Sequence, residues 1–175
     1  DSFDCSNYIG GLAIIGDKIQ NLKGLDTLER INEILEFSNL SLDTFDFLSI
    51  NNVIHLKIKE NKRIKNLNKL NLNQIFASLE ISHNDSLTDI SSLNGANVAD
   101  SLTIYNNKSL NNCCAISHNL FDEDNKPSYI LIDSNENNCN EIDAVKSFCL
   151  ENEFPCGVYG YTDTFLFNRD IDSLD

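Results

Sequence analysis

The sequence has no apolar stretch approaching the roughly 20 residues that a membrane-spanning helix needs. It is also short of positive charge. Only 13 Lys and Arg stand against 27 Asp and Glu, giving a formal net charge of −14 and a pI near 4.4. A field of that sign repels nucleic acid, which excludes DNA or RNA binding through general electrostatics. Methionine is absent and the chain begins at Asp1, so the expectation is a processed or trimmed form. In such a form a missing secretory leader says nothing against export. No Cys-x-x-Cys pair occurs, and His55, His83 and His118 are scattered, so the ligand spacing of a zinc site is missing. Nucleophile elbow, phosphate loop and paired acid–base set are missing too, and the expectation is a protein that is not an enzyme and uses no cofactor.

What is present is a repeat. Ser78-Leu79-Glu80-Ile81-Ser82-His83-Asn84-Asp85-Ser86-Leu87 aligns with Ser101-Leu102-Thr103-Ile104-Tyr105-Asn106-Asn107-Lys108-Ser109-Leu110, 23 residues on. Its Leu-x-Ile core extends outward as Leu12-x-Ile14, Leu35-x-Phe37, Leu56-x-Ile58, Leu79-x-Ile81, Leu102-x-Ile104 and Ile130-x-Ile132, at spacings of 23, 21, 23, 23 and 28. A period of that length with this core falls in the leucine-rich-repeat range. Each Leu-x-Ile reads as a short strand with two inward side chains and one outward. A near-constant period sets each strand beside the last, in a parallel sheet.

A second apolar series follows each strand in steps of about three: Ile64, Leu67, Leu70, Leu72 and Ile75 in one coil, Leu87, Ile90, Leu93 and Val98 in the next. Such steps suit tight 3₁₀-like turns better than long helices. Only residues 141–150 read as a real helix. One coil is too thin to bury its own apolar edge, so coils must stack: Leu79 on Leu56 and under Leu102. Six coils at about 4.8 Å per strand make a rod of roughly 25–30 Å. The fold class expected is therefore mainly β: a right-handed β-solenoid of about six leucine-rich-repeat-like coils with a short C-terminal helix. An N-terminal cap is read at 1–11, the solenoid at 12–150, and a C-terminal aromatic cap or linker at 151–175, with a strand or hairpin at 158–167. The 28-residue spacing places an insertion at 119–128.

Five residues past the strand Leu stand Asn61, Asn84, Asn107 and Asn135, with Asp17 and Leu40 in the first two coils. Asn tolerates left-handed backbone and bonds nearby peptides, so a turn ladder is expected along the rod. The triplets Asn39-Leu40-Ser41, Asn84-Asp85-Ser86 and Asn107-Lys108-Ser109 also fit a glycosylation acceptor, but two of them arise from the repeat itself.

The pattern Leu-x-Ile-x-x-Asn-x-x-Leu, with Ile31, Ile75 or Val98 four residues before the strand Leu, resembles the receptor L-domain type of leucine-rich repeat. It is most similar to the L-domain-like repeats of exported bacterial surface proteins. Those often close with Cys-Cys-Ala-Ile and two later cysteines; Cys113-Cys114-Ala115-Ile116, Cys139 and Cys149 look like that ending. The resemblance covers about residues 8–150. It implies an extracellular β-solenoid used in binding or adhesion. The second coil, which lacks the Asn, and Cys5, Cys156 and the aromatic tail have no place in the pattern.

The cysteines number six, four of them inside 113–149, which favours disulfides and an oxidising compartment over buried thiols. Stacking in register sets Cys139 over Leu110 and Ile142 over Cys113. Two bridges among Cys113, Cys114, Cys139 and Cys149 follow, though six cysteines allow about 15 full pairings. Six of the 13 basic residues lie within 13 positions, from Lys57 to Lys69. They read either as a band that meets an anionic partner or as a solvated face. Glu36, Lys57 and Glu80 form an outward charge ladder, and Ser38, Lys59, Ser82, Tyr105 and Asp133 form the next outward column. Lys57, Lys59, Ser82 and Tyr105 are the candidate contacts for a protein or glycan ligand. No metal is expected: Asp133, Asn135 and Asn137 imitate a calcium loop, but its sixth position is Asn138 and its twelfth Ala144. The function expected is an extracellular or cell-surface binding or adhesion module. The alternative is a spacer domain of a larger surface protein with no ligand of its own.

Overall fold

A computed structural model describes residues 10–151 apart from 24, 26–30, 46–49, 51, 69, 71 and 125. Cys5, Cys156, the aromatic stretch 158–167 and nearly all of both expected caps lie outside the described residues. The strands are β1 (Leu12–Ile15), β2 (Ile34–Ser38), β3 (Asn52–Lys59), β4 (Gln74–Ser82), β5 (Asn97–Val98), β6 (Ser101–Tyr105) and β7 (Tyr129–Asp133). All pair in parallel in one sheet of order β1-β2-β3-β4-β6-β7, with the short β5 beside β4. Leu12, Leu35, Leu56, Leu79, Leu102 and Ile130 stand in one register, the register read from the repeat. The chain is mainly β, a β-solenoid of about four turns counted from β2 to β7, with short helices. The return between β1 and β2 contains the undescribed residues 26–30.

Alternation along each strand decides what is buried. Leu35, Phe37, Leu56, Ile58, Leu79, Ile81, Leu102 and Ile104 point inward and are sealed from solvent, while their neighbours point out. The return segments supply the opposite wall of the core with Ile64, Leu67, Leu70, Leu87, Ile90, Leu93, Leu110 and Ile116. Their steps of three produce i→i−3 bonds, as from Leu70 N to Leu67 O at 2.9 Å and Leu93 N to Ile90 O at 2.9 Å. True 3₁₀ turns form at Ser91–Leu93, Cys114–Ile116 and Asn137–Cys139. Where β3 meets β4 the register slips by one between Val53/Ile75 and His55/Ser78, a bulge that leaves Phe76 57% exposed.

The asparagines form one continuous ladder in which every amide is used. Asn61 N and Nδ2 both donate to Asn84 Oδ1 (3.0 and 3.1 Å), and Asn84 N and Nδ2 both donate to Asn107 Oδ1 (3.0 Å each). Asn107 N and Nδ2 donate in turn to Asn135 Oδ1 (2.9 and 3.0 Å). Each Nδ2 also bonds a carbonyl of the preceding coil: Phe37, Ile58, Ile81 and Ile104. Leu40, which takes the Asn position in its coil, still gives its backbone N–H to Asn61 Oδ1 at 2.9 Å. Asn61, Asn84 and Asn107 are fully buried.

One detail of the expected ladder is corrected. The ladder asparagine is not the left-handed residue of the turn; the residue before it is. Gly16, Asn39, Glu60, His83, Asn106 and Ser134 all have positive φ, the last five between 53° and 59°. A left-handed residue reverses the chain at the strand end, so that the next side chain drops into the interior. The geometry costs ordinary L-residues about 1–2 kcal/mol and Gly or Asn less. Glu60, His83 and Ser134 adopt it nonetheless.

The end of the stack is stapled. Cys113 bonds Cys139 and Cys114 bonds Cys149, with Cα atoms 5.8 and 5.5 Å apart. Both links fall among the four cysteines singled out by the repeat. The expected helix is present as α2 (Ile142–Glu151). A second, α1 (Ser117–Phe121), occupies the start of what the spacing marks as an insertion. Leu120 is fully buried there and Lys146 of α2 lies 5.5 Å from the Phe121 ring. The extra residues thus begin as a helix packed on the stack.

Two outcomes follow. Asn84→Ala removes the acceptor of two buried donors and the donor to two carbonyls, and should lower stability by about 3–5 kcal/mol in chemical denaturation. Thiol labelling of unfolded, unreduced protein with peptide mapping should find 113–139 and 114–149 linked. Replacing Cys114 and Cys149 by Ser should cost about 3–4 kcal/mol, from the 35-residue separation.

Candidate functional site

The outward face of the sheet is built by the residues between the buried ones. Its middle column runs Glu36, Lys57, Glu80 and Thr103, and the next runs Ser38, Lys59, Ser82, Tyr105 and Asp133, in register. The charge ladder is therefore present, but the closest ion pair runs diagonally: Lys59 Nζ lies 3.0 Å from Glu36 Oε1. That hydrogen bond holds the Lys59 amine above its ordinary 10.5. Burial opposes it, and the charges of Glu36, Glu80 and Glu60 reinforce it. The sign places loss of the Lys59 charge above pH 10.5, so the amine stays charged throughout the physiological range.

The four candidate contacts are neighbours, but they are not equivalent. Ser82 is only 1% exposed, flanked in register by the larger Lys59 and Tyr105, and its Oγ donates to Glu80 Oε1 at 3.1 Å. Lys57 stands between Glu36 and Glu80. Of the other basic residues in the band, Arg63 forms a forked pair with Asp43, Nε to Oδ1 at 3.0 Å and Nη2 to Oδ2 at 3.2 Å. Lys59 and Arg63 of the band are thus compensated by carboxylates of the preceding coil. Tyr105 is half-buried, with its ring meeting that of His83 edge to face, centroids 5.0 Å apart at 83°.

His83 leads to a feature that the sequence reading missed. The left-handed residues leave their side chains along the turn edge of the solenoid, beside the outward face. Asn39, Glu60, His83 and Asn106 form one wall of an open groove of about 310 Å³, and Lys62, Asp85 and Lys108 form the other. The ladder asparagines lie between the two walls in sequence. Lys108 Nζ sits 3.8 Å from Asp85 Oδ1 across one coil step. The signal was there to be found: the groove residues immediately precede and follow Asn61, Asn84 and Asn107 in every repeat.

Two further polar devices are structural. Asn66, Asp89 and Asn112 stack as bridges on the return side, and each carboxyl or amide oxygen accepts from the backbone N–H two residues on (3.3, 2.9 and 3.2 Å). At α1, buried Asn119 accepts from Val98 N at 2.9 Å and donates to Ala96 O at 3.1 Å, which fixes β5. His118 Nε2 reaches the same Ala96 O at 2.9 Å. Among the described residues no group of three His, Cys, Asp or Glu side chains is arranged to hold a metal ion, and no helix is long and apolar enough to cross a membrane. Of the three glycosylation triplets, those at Asn84 and Asn107 are closed by burial, whereas Asn39 is exposed. No family model matches the chain, and neither a curated protein nor a solved structure matches it.

Burial pushes His118 below its ordinary 6.5; the carbonyls of Ala96 and Ala115 and the charge of Asp122 oppose the shift without cancelling it. The unfolded chain therefore takes up this proton first as pH falls. The stabilisation is full above about 6.5 and is lost as pH drops through the lower folded value. Urea midpoints measured from pH 8 to 5 should fall in acid, and His118→Gln should flatten that part of the profile.

Proposed function

We propose that this chain is a binding or adhesion module, extracellular or on a cell surface, that recognises a protein or glycan on the outward face of its sheet. The observation that carries the reading is Tyr105. Its ring lies outside the core, in the middle of a polar column, and His83 fixes its orientation. A tyrosine held in this way is a rigid, amphipathic contact that loses little entropy when a partner arrives. The two disulfides are compatible with an oxidising compartment. In finer detail the reading is a six-coil stack of receptor L-domain-like leucine-rich repeats, with β1 and residues 16–33 taken as a full coil. The Leu-x-Ile register and the asparagine ladder support it. Binding rather than catalysis is the inferred role.

The spacer alternative has an observation in its favour: Lys59 and Arg63 are satisfied by Glu36 and Asp43 of the same chain. Arrays of glycans and of extracellular proteins, probed with the wild-type protein and with Tyr105→Ala, separate the two readings. A retained partner whose affinity drops at least tenfold, about 1.4 kcal/mol, in the variant supports recognition on this face. Equal retention of both proteins would overturn recognition through Tyr105, and retention of neither supports the spacer.

A further inference from the structure

We infer that the groove along the asparagine ladder is a subsite for a neutral oligosaccharide lying parallel to the solenoid axis. The inference rests on the reading of the chain as a binding module. It moves the ligand's main contact from the outward column at the strand ends to the turn edge beside it, and it names the ligand's class.

The charge in the groove selects the class. Lys62 and Lys108 balance Glu60 and Asp85, and His83 and the amides of Asn39 and Asn106 complete the lining. On a chain of net charge −14, a groove without positive excess offers an anionic polymer nothing and the surrounding field repels it. No apolar side chain lines the groove, so a peptide finds no pocket for an anchoring residue. A sugar chain asks for the opposite: closely spaced donors and acceptors that match pairs of neighbouring hydroxyls. Carboxylates and amides supply such pairs in fixed geometry, and Lys adds donors.

The repeat sets the groove's pitch. Asn39, Glu60, His83 and Asn106 are consecutive rungs, each bonded by its N–H to the strand end of the next coil, at Lys59, Ser82, Tyr105 and Asp133. Successive polar groups are therefore offset by one strand spacing, about 4.8 Å. That step is close to the length of one pyranose unit in an extended chain. A linear oligosaccharide along the axis presents similar hydroxyls to similar groups at each rung.

The choice of residues at the left-handed positions points the same way. Glycine or asparagine meets that backbone requirement with least strain. Gly16, Asn39 and Asn106 follow the rule; Ser134, outside the groove, does not, and the two central rungs carry the bulkier Glu60 and His83 at φ 59° and 58°. Backbone outliers retained where an easier residue would serve are a reason to look for function. Here they set a carboxylate and an imidazole side by side at the centre of the groove, and the imidazole borders Tyr105.

The test is an NMR titration of the full chain labelled with nitrogen-15. The probes are neutral hexasaccharides of β-1,4-glucan, β-1,3-glucan, mannan and chitin type, with a sulfated hexasaccharide as the anionic control. Expected are amide shifts clustered at Glu60–Lys62, His83–Asp85 and Asn106–Lys108. The affinity should drop roughly tenfold in Asp85→Ala and in His83→Asn, and stay unchanged in Lys126→Ala, an exposed residue outside the groove and the sheet face. His83→Asn suits the left-handed backbone, so its loss of binding would not reflect unfolding. Shifts centred on Lys57, Glu80 and Thr103 would overturn the groove and leave the sheet-face reading standing. Tighter binding of the sulfated probe would overturn the neutral class. Absence of shifts with every neutral probe at about 10 mM, where even very weak sites fill, would overturn the subsite; the Tyr105 array comparison would still decide the broader reading.

Discussion

The buried amide-to-amide hydrogen bond between successive coils is the constraint on which the rest of this fold depends. Three asparagines lie wholly inside an otherwise apolar stack, and each is saturated by the coil before and the coil after. A buried amide without partners is costly, so every coil must deliver its asparagine to the same place. Coil length is free to vary only elsewhere. The register slip beside Phe76 absorbs one residue, and the segment that begins with α1 absorbs the extra length of the 28-residue repeat. The two disulfides act where that absorption is greatest.

The same requirement distributes polarity over the surface. For the asparagine to point inward, its predecessor takes a left-handed turn and its successor faces out, so each rung places two side chains on the turn edge for reasons of backbone geometry alone. The sheet face has no such freedom. Its columns touch across every strand pair, and its charges find partners there: Lys59 with Glu36, Ser82 with Glu80. The face is partly closed by its own contacts and carries Tyr105 and Tyr129, and the turn edge is open and mixed in sign.

Legibility in the sequence follows from which forces are periodic. The strand register was readable because Leu79 and Leu102 recur with their whole surroundings, and apolar burial obeys the period. The cysteine links were readable as a group of four because stacking fixes which coils touch. The buried state of Ser82 was not readable, since it depends on the size of Lys59 and Tyr105 on the neighbouring strands. The pairing of Lys59 with Glu36 was missed because direct register favours Lys57, and only a long flexible side chain makes the diagonal contact. Nor did the spacing reveal α1: His118 and Asn119 are tied to Ala96, a contact made once and repeated nowhere. The groove escaped because its two walls flank the very residue that drew attention.

The ladder also has a direction. Each asparagine oxygen receives its hydrogen bonds from the coil before it, while Asn84 and Asn107 also give their amides to Ser82 O and Tyr105 O of their own coils. Asn135 ends the series by giving its amide to Cys139 O at 2.9 Å, in the place where the earlier rungs reach the next asparagine oxygen. The stack therefore behaves as a one-way zipper with a latch at its far end. Removing the first coils leaves the remaining oxygens with fewer donors, which water replaces easily at an exposed edge. Removing the last coil strips the acceptor from the one before it, and the defect sits at the growing end, where the next unit would have to dock.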